Sequence, residues 1–245
     1  MAAVLQNPVA DPMLLVDQSG GVATLTLNRP AQYNVLSAGM MDALQAEFER
    51  LAADPAVRVI VLAAAGKAFC AGHDLREMRA EPALAYYQAL FAQCSRLMTT
   101  LQALPQPVIA RVQGVATAAG CQLVAMCDLA VAADQARFAV SGVNLGLFCA
   151  TPAVALTRNV SRKAAFEMLV TGDFIDAQQA RERGLVNRVV PAEQLDAEVR
   201  SLVDSILAKP AVAVAAGKGL FYRQLEMGID AAYQLAGQTM ACNMM

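Results

Sequence analysis

A run of very small side chains, Ala118-Ala119-Gly120, follows an apolar segment and a turn at Gly114. Thr117 is a favourable helix N-cap, so this spacing predicts a short helix that begins at the small residues. The first N–H groups of a helix have no acceptor within the helix and lie at the positive end of its dipole. Because nothing larger than a methyl group covers them, these N–H groups are suited to binding an anionic oxygen. The alternative interpretation is close packing of a helix on a strand.

His73 is the single histidine of the chain and lies beside Asp74 in the loop Ala71-Gly72-His73-Asp74-Leu75. An imidazole with a pKa near neutrality next to a carboxylate is a credible general acid or base. Its side chain could equally turn away and leave only its backbone N–H for use. Asp74 and Glu77 open a charged helix, where carboxylates are more often solvated or capping groups.

Six cysteines occur without any C-x-x-C spacing, and they sit within apolar segments. We expect reduced, buried thiols in a cytoplasmic protein, with no disulfide framework. No second histidine is present to activate a thiol, so core roles are favoured over nucleophilic ones. The residues concerned are Cys70, Cys94, Cys121, Cys127, Cys149 and Cys242.

The composition excludes several classes of protein. The chain has 245 residues, is 57% hydrophobic and 16% charged, and carries a formal net charge of −2. Such a chain can build a substantial core and is far from a disordered composition. The absence of basic clusters argues against a nucleic-acid partner. No apolar run reaches the roughly 18 residues of a membrane-spanning helix, and neither a secretory nor an Arg-rich leader is evident near Met1.

Short apolar segments alternate with segments of helical periodicity, which predicts an α/β fold with right-handed crossovers. We expect an α/β core over residues 1–190, followed by a helical region over 191–245 that packs on another subunit or covers the core. Strands are predicted at 22–27, 57–63, 107–112, 128–133 and 137–140. Helices are predicted at 37–53, 82–104, 161–170 and 176–183, after Thr117, and from Thr151 as N-cap with Pro152 at the first helical position.

Several motifs resemble the crotonase (enoyl-CoA hydratase/isomerase) superfamily in one collinear register across nearly the whole chain. Within it, residues 112–156 are most similar to the branch of enoyl-CoA hydratase domain-containing protein 3. The motifs are Asn28-Arg29-Pro30 with Asn34, the stretch 68–75, the stretch 114–128, Val143-Asn144-Leu145-Gly146 and Leu169-Val170-Thr171-Gly172.

The resemblance implies a spiral of repeated ββα units with a C-terminal helical trimerisation region, assembled as a homotrimer or a dimer of trimers. It implies a lyase or isomerase of fatty acid metabolism that takes a coenzyme A thioester as substrate and holds no permanent cofactor or metal. Relatives usually continue through another helix beyond Met245, so we expect part of the CoA site to lie outside this sequence.

The resemblance also implies roles for particular residues. In the family the thioester oxygen lies between two backbone N–H groups, which by position are those of His73 and Ala119. The implied CoA-binding residues are Arg29 and the loop Ala71, Gly72, His73, Asp74 and Leu75. The implied acyl pocket is lined by Met78, Gly120 and Phe148, with Phe148 narrowing the channel.

Two departures from the family pattern affect the expected reaction. Family hydratases use two glutamates to hold and activate water, and the matching positions here are Gln122 and Gly142. A glutamine can hydrogen-bond water but cannot take up its proton, and a glycine offers no side chain. General acid–base groups contribute about 10²–10⁴ each in rate. Ordinary hydratase activity is therefore not expected.

Three functions remain open from the sequence. The first is an acyl-CoA-binding, hydratase-like protein that stabilises a thioester enolate in an oxyanion hole. The second is other thioester chemistry, such as decarboxylation of a malonyl-type CoA, which generates an enolate without a carboxylate base. The third is a non-catalytic binder of CoA esters.

Overall fold

The structure is a computed structural model that describes residues 11–245. The strands are β1 (Leu14–Ser19), β2 (Val22–Leu27), β3 (Val59–Ala64), β4 (Ala68–Cys70), β5 (Val108–Val112), β6 (Val115–Thr117), β7 (Leu129–Ala133), β8 (Arg137–Ala139), β9 (Ile175–Asp176) and β10 (Arg188–Val190). The helices are α1 (Ala38–Ala52), α2 (Leu75–Ala80), α3 (Leu84–Ala103), α4 (Ala119–Met126), α5 (Ala150–Leu156), α6 (Arg162–Thr171), α7 (Ala177–Glu182), α8 (Leu195–Leu207), α9 (Ala211–Leu225) and α10 (Ile229–Met244).

The described strands form two sheets. The larger has the order β1-β2-β3-β5-β7-β10, with β1 antiparallel to β2 and the remaining neighbours parallel. The smaller has the order β4-β6-β8-β9 and is parallel except at β9. Parallel neighbours joined through helices confirm the predicted α/β class.

Helices cover both faces of the larger sheet, which explains why its central strands are apolar throughout. On β3, Ile60 and Leu62 belong to the main core, which also contains the buried faces of α1 and α3. The alternate residues Val59 and Val61 instead belong to a second apolar cluster with α8. A strand buried on both faces reads as a continuous hydrophobic run.

Local capping accounts for several helix starts. Ser37 accepts the N–H of Met40 at the start of α1, as predicted. Asp176 and Gln179 form a reciprocal capping box at α7, and Gly184 follows that helix with φ of +86°. Two other predicted starts are wrong. Thr117 is the last residue of β6, where strand pairing fixes it, and α5 begins at Ala150, so Thr151 lies inside the helix.

The C-terminal region is entirely helical from α8 onward, in agreement with the sequence pattern. Helix α8 is buried against the sheet, whereas α9 and α10 expose most of their surface. The division at residues 190 and 191 stays a prediction. Within residues 11–245, no helix combines the length and apolarity needed to cross a membrane.

Candidate active site

A cavity of about 730 Å³ opens between the 71–75 loop, the start of α4 and the segment that leads into α5. Its wall is built from the 71–75 loop, helix α2, the turn before α4 and the segment between β8 and α5. Of the residues proposed from sequence, those that line it are Ala71, His73, Asp74, Leu75, Met78, Ala119, Gly142 and Phe148. Those that do not are Arg29, Gly72, Gly120 and Gln122.

The 71–75 loop and the start of α4 are in direct contact through Gly72. A Cβ atom at Gly72 would lie 3.0 Å from the Ala118 Cβ and 3.3 Å from the Ala119 nitrogen, and its φ of +95° also favours glycine. Gly72 is therefore buried behind the cavity wall and sets the spacing between its neighbour His73 and Ala119. Within residues 11–245, neither the His73 N–H nor the Ala119 N–H donates a hydrogen bond.

Ala118 turns the chain from β6 into α4 in a conformation that non-glycine residues rarely adopt. Its φ and ψ are 50° and −121°, and its N–H donates to the Ala139 carbonyl at 3.0 Å. Such backbone geometry costs about 1–3 kcal/mol and is held by the surrounding structure. The strained turn places Ala118 and Ala119, at the start of α4, in the cavity wall.

The His73 imidazole lies in the cavity wall and packs edge-on against Phe91, with ring centroids 5.6 Å apart. Both ring nitrogens are buried, and neither has a hydrogen-bond partner in the described part of the chain. Burial lowers the pKa of this imidazole, and the nearby polar backbone at Leu36 opposes that shift only in part. His73 is therefore neutral at pH 7 and offers one donor and one acceptor.

The two carboxylates beside His73 serve as helix caps. Asp74 accepts the N–H groups of Arg76 at 2.8 Å and Glu77 at 3.4 Å, which starts α2. Glu77 accepts the N–H of Ala38 at 3.0 Å at the start of α1. This is the capping role that the sequence favoured.

Gln122 lies one turn after Ala119 on the same face of α4, because residues three apart are neighbours on a helix. Its side chain is 4% exposed, and its Oε1 atom has no donor among the described residues. The amide is therefore buried outside the cavity lining, with an unused acceptor.

The space beside Gly142 is closed. A Cβ atom there would lie 2.6 Å from the Leu147 carbonyl oxygen and 2.7 Å from the Cys149 sulfur. The Leu147 N–H also donates to the Gly142 carbonyl at 3.0 Å, which holds this turn in place. The local backbone thus excludes any side chain at the position where family hydratases carry their second glutamate.

Gly120 serves close packing of α4 and does not line the acyl pocket, contrary to what the resemblance had implied. A Cβ atom there would lie 2.1 Å from the Cys70 carbonyl oxygen, so glycine is required for α4 to lie against β4.

The thiols of Cys70 and Cys121 are buried, and burial raises the pKa of each to about 12. Cys242 is exposed, unlike the other five cysteines, so its predicted burial is wrong.

Basic residues at the cavity differ from the one proposed. Arg29 donates to the carbonyl groups of Asn28 at 2.7 Å and Asp11 at 3.0 Å, which directs its guanidinium to the backbone. Arg76 and Arg79 of α2 line the cavity instead. In the sequence these two arginines belong to the run Arg76-Glu77-Met78-Arg79. The charges of that run indicated a charged helix but gave no sign that the arginines line a cavity.

Two further features were not foreseen. Tyr87 and Phe91 of α3 line the cavity, and the Tyr87 hydroxyl donates to the Met78 carbonyl at 3.0 Å. Ser141 also lines the cavity, with its Oγ atom 2.8 Å from Oγ1 of Thr117. Their spacing in the sequence gave no signal, because helix packing places Tyr87 and Phe91 at the cavity and strand pairing brings Ser141 to Thr117. Among the described residues, no group of three or more potential ligand side chains could hold a metal ion.

The relatives of this chain share its sequence over most of their length. Enoyl-CoA hydratase domain-containing protein 3 of Xenopus laevis is 47% identical over 233 residues, which cover 95% of this chain and 79% of that protein. The protein of the same name from Homo sapiens is 43% identical over 227 residues, covering 93% and 75%. Both relatives are named as mitochondrial, and by this finding the expectation of a cytoplasmic protein is wrong. Buried free thiols indicate a reducing environment, and they do not identify the compartment.

Solved structures agree with the fold and with the predicted branch. The crystal structure of an enoyl-CoA hydratase from Mycobacterium smegmatis superposes with a TM-score of 0.95 at 64% identity, covering 96% of this chain and 92% of that one. The structure of human enoyl-CoA hydratase domain-containing protein 3 gives 0.92 at 43% identity, covering 95% and 92%. The family model for enoyl-CoA hydratase/isomerase, whose members act on CoA thioesters, matches residues 17–242. The chain therefore belongs to the enoyl-CoA hydratase/isomerase family and has the crotonase fold.

Proposed function

We propose that this protein binds an acyl-CoA thioester and stabilises its enolate with the backbone N–H groups of His73 and Ala119. The observation that carries the proposal is that two N–H groups without acceptors, held together by Gly72, meet at the wall of one large cavity. Preorganised donors aimed at a developing oxyanion are typically worth 10²–10³ each in rate. The ligand has room for its acyl chain beside Met78 and Phe148.

Hydration of an enoyl thioester is expected to be slow. Gln122 cannot take up a proton, Gly142 carries no side chain, and Asp74 and Glu77 are used as caps. Without both acid–base groups, the rate should fall by about 10²–10⁴ for each one missing. We therefore expect the protein to polarise the thioester through its backbone N–H groups but to activate water only weakly.

The first test is spectroscopic and uses 2,4-hexadienoyl-CoA with the full chain. An oxyanion hole draws electron density toward the thioester oxygen, so we expect the absorbance of the bound dienoyl group to shift to longer wavelength. Gly72→Ala should reduce this shift, because the new Cβ meets the Ala118–Ala119 turn. Gly184→Ala is the matched control, since its φ of +86° and one contact at 3.1 Å impose similar strain away from the cavity.

Loss of the shift in both variants, or its absence in the wild type despite binding, would refute the oxyanion assignment. A second assay measures hydration of crotonyl-CoA by the wild type and by Gln122→Glu. The loss of absorbance of the conjugated thioester reports the rate. Rapid hydration by the wild type would show that another group activates water, and His73→Ala would be the next variant. A partner substitution Gly142→Glu is unsuitable, because Leu147 and Cys149 fill that space.

Decarboxylation of a malonyl-type CoA is the second candidate, because the positions of both family glutamates, Gln122 and Gly142, lack a carboxylate and the cavity wall contains the Ser141 hydroxyl. In this reaction the bond from Cα to the carboxylate breaks, its electron pair forms the enolate, and carbon dioxide leaves before a proton is taken from water. Release of carbon dioxide from malonyl-CoA would favour this candidate. Binding without turnover of any thioester would favour a non-catalytic CoA-ester binder.

A further inference from the structure

Two hydroxyl groups meet at the cavity wall beside the strained turn. Thr117 ends β6 and Ser141 follows β8, and these strands pair in parallel with Thr117 opposite Ala139. The pairing brings the Thr117 Oγ1 and Ser141 Oγ atoms to 2.8 Å. The residues are 24 positions apart in the sequence, so only the smaller sheet brings them into contact.

The hydrogen-bond inventory of this pair leaves one hydrogen unused. Two hydroxyl groups bring two hydrogens, and the bond between them uses one. Neither oxygen has another hydrogen-bond partner in the described part of the chain. Because Ser141 lines the cavity and Thr117 does not, an arrangement in which Thr117 donates to Ser141 leaves the Ser141 O–H free to donate into the cavity.

The Ser141 hydroxyl belongs to the same cavity wall as His73 and Ala119, and Thr117 leads into the turn that carries the Ala119 N–H group. Thr117 directly precedes Ala118, and its carbonyl oxygen lies 3.2 Å from the position of a Cβ at Gly72. The cavity residues adjacent to Ser141 and Thr117 in the chain, Gly142 and Ala118, carry no polar side chain. A ligand oxygen close to the thioester carbonyl would therefore find this hydroxyl as a nearby uncharged donor.

We propose that Ser141, positioned by Thr117, selects acyl-CoA thioesters that carry an oxygen substituent on the acyl chain close to the thioester. The proposal rests on the proposed function, because it assumes that the acyl group enters this cavity. An unsubstituted chain would remove water from the Ser141 hydroxyl without replacing the lost hydrogen bond, which is unfavourable. An oxygen acceptor would restore that bond.

The test compares acetoacetyl-CoA with butyryl-CoA, because their acyl chains have equal length and differ in the oxygen on the third carbon. Dissociation constants are measured by calorimetry for wild type, Ser141→Ala, Ser141→Thr and Thr117→Val. We expect Ser141→Ala to weaken acetoacetyl-CoA binding about tenfold, the value of one lost hydrogen bond, and to tighten butyryl-CoA binding, because no hydroxyl then loses its water. Ser141→Thr should retain the preference, and Thr117→Val should reduce it by less than Ser141→Ala.

The outcomes separate this inference from the proposed function. If the wild type binds neither thioester, both proposals fail. If both thioesters bind but Ser141→Ala affects them equally, or affects neither, the selective role of Ser141 is refuted while the proposed function stands. Thermal unfolding of each variant shows whether it is folded, and Thr117→Val provides a second test because it preserves side-chain shape.

Discussion

At the scale of single residues, two features shape the cavity wall. Glycines stand where no side chain would fit, and some buried polar atoms have no hydrogen-bond partner among the described residues. Neither Gly72 nor Gly142 has room for a side chain. At Gly72 the space is taken by the start of α4, and at Gly142 it is taken by the turn from Leu147 to Cys149. Burial favours the neutral form of two ionisable side chains in this wall, because it lowers the pKa of His73 and raises the pKa of Cys149. The wall therefore combines these neutral groups with the acidic side chain of Asp74 and the basic side chains of Arg76 and Arg79.

The buried His73 makes stability depend on pH in a defined window. Its pKa in the folded protein lies below the value of about 6.5 in an unfolded chain. The unfolded chain therefore binds more protons as pH falls below about 6.5, and stability decreases until the folded pKa is reached. We expect the melting temperature of the wild type to fall between about pH 7 and 5.5, and that of His73→Gln to fall less.

Differential scanning calorimetry across this range checks the prediction. His73 is the only histidine, so no other histidine can contribute to the slope. Parallel pH profiles for the wild type and His73→Gln would show that the imidazole is not buried in its neutral form in solution.

At the scale of secondary-structure elements, helix α9 is tied to the core by one buried lysine. The Lys218 Nζ atom donates to the carbonyls of Leu101 at 2.8 Å and Gln106 at 2.9 Å, and to Asp128 at 2.7 Å. Asp128 also accepts the Tyr222 hydroxyl at 2.7 Å. Burial lowers the pKa of Lys218 while Asp128 opposes that shift, and burial raises the pKa of Tyr222. This network joins α9 to the ends of α3 and α4.

Removing the lysine should destabilise the protein strongly. Lys218→Met leaves Asp128 with an unpaired buried charge and leaves two carbonyls without a donor, and such losses typically cost about 3–5 kcal/mol. Arg158→Met is the matched control, because the Arg158–Glu226 pair is 48% and 65% exposed and pairs of that kind contribute about 0–1 kcal/mol. Urea unfolding at a fixed protein concentration measures both. Equal losses in the two variants would contradict the anchoring role.

At the scale of the whole molecule, α9 and α10 present large apolar side chains to solvent in the single chain. Phe221 is 54% exposed, Ile229 69% and Tyr233 74%. Exposed apolar surface of this kind marks an interaction site. The sequence led us to expect a homotrimer or a dimer of trimers, and we propose that these two helices supply its contacts.

Charged substitutions on these helices test the proposal. We expect the wild type to sediment at three or six times the chain mass of 25.8 kDa, and Ile229→Lys/Tyr233→Lys to sediment at a lower multiple. The control is Leu84→Lys, which changes a residue that is 74% exposed at the start of α3. Analytical ultracentrifugation gives the masses. A monomeric wild type, or dissociation by Leu84→Lys alone, would overturn the assignment of this interface.

The sequence by itself determined those features that depend on neighbours along the chain. Apolar periodicity gave the α/β class and the helical C-terminal region, and short-range capping gave the starts of α1 and α7. The predictions of class and helix starts succeed because helix periodicity and capping act within a few residues. The small residues at the start of α4 indicated an anion site and the family resemblance added the 71–75 loop, and this assignment stays a prediction.

Only the tertiary structure decided the features made by residues distant in the chain. Strand pairing placed Thr117 in β6 instead of at a helix start and brought it to Ser141. The turn at Leu147 closed the space beside Gly142, and backbone carbonyls directed Arg29 away from the cavity. The physical reason is that close packing leaves little spare volume at such contacts and gives most buried polar groups a partner. Whether a side chain fits there, or remains free for a ligand, depends on the elements packed around it.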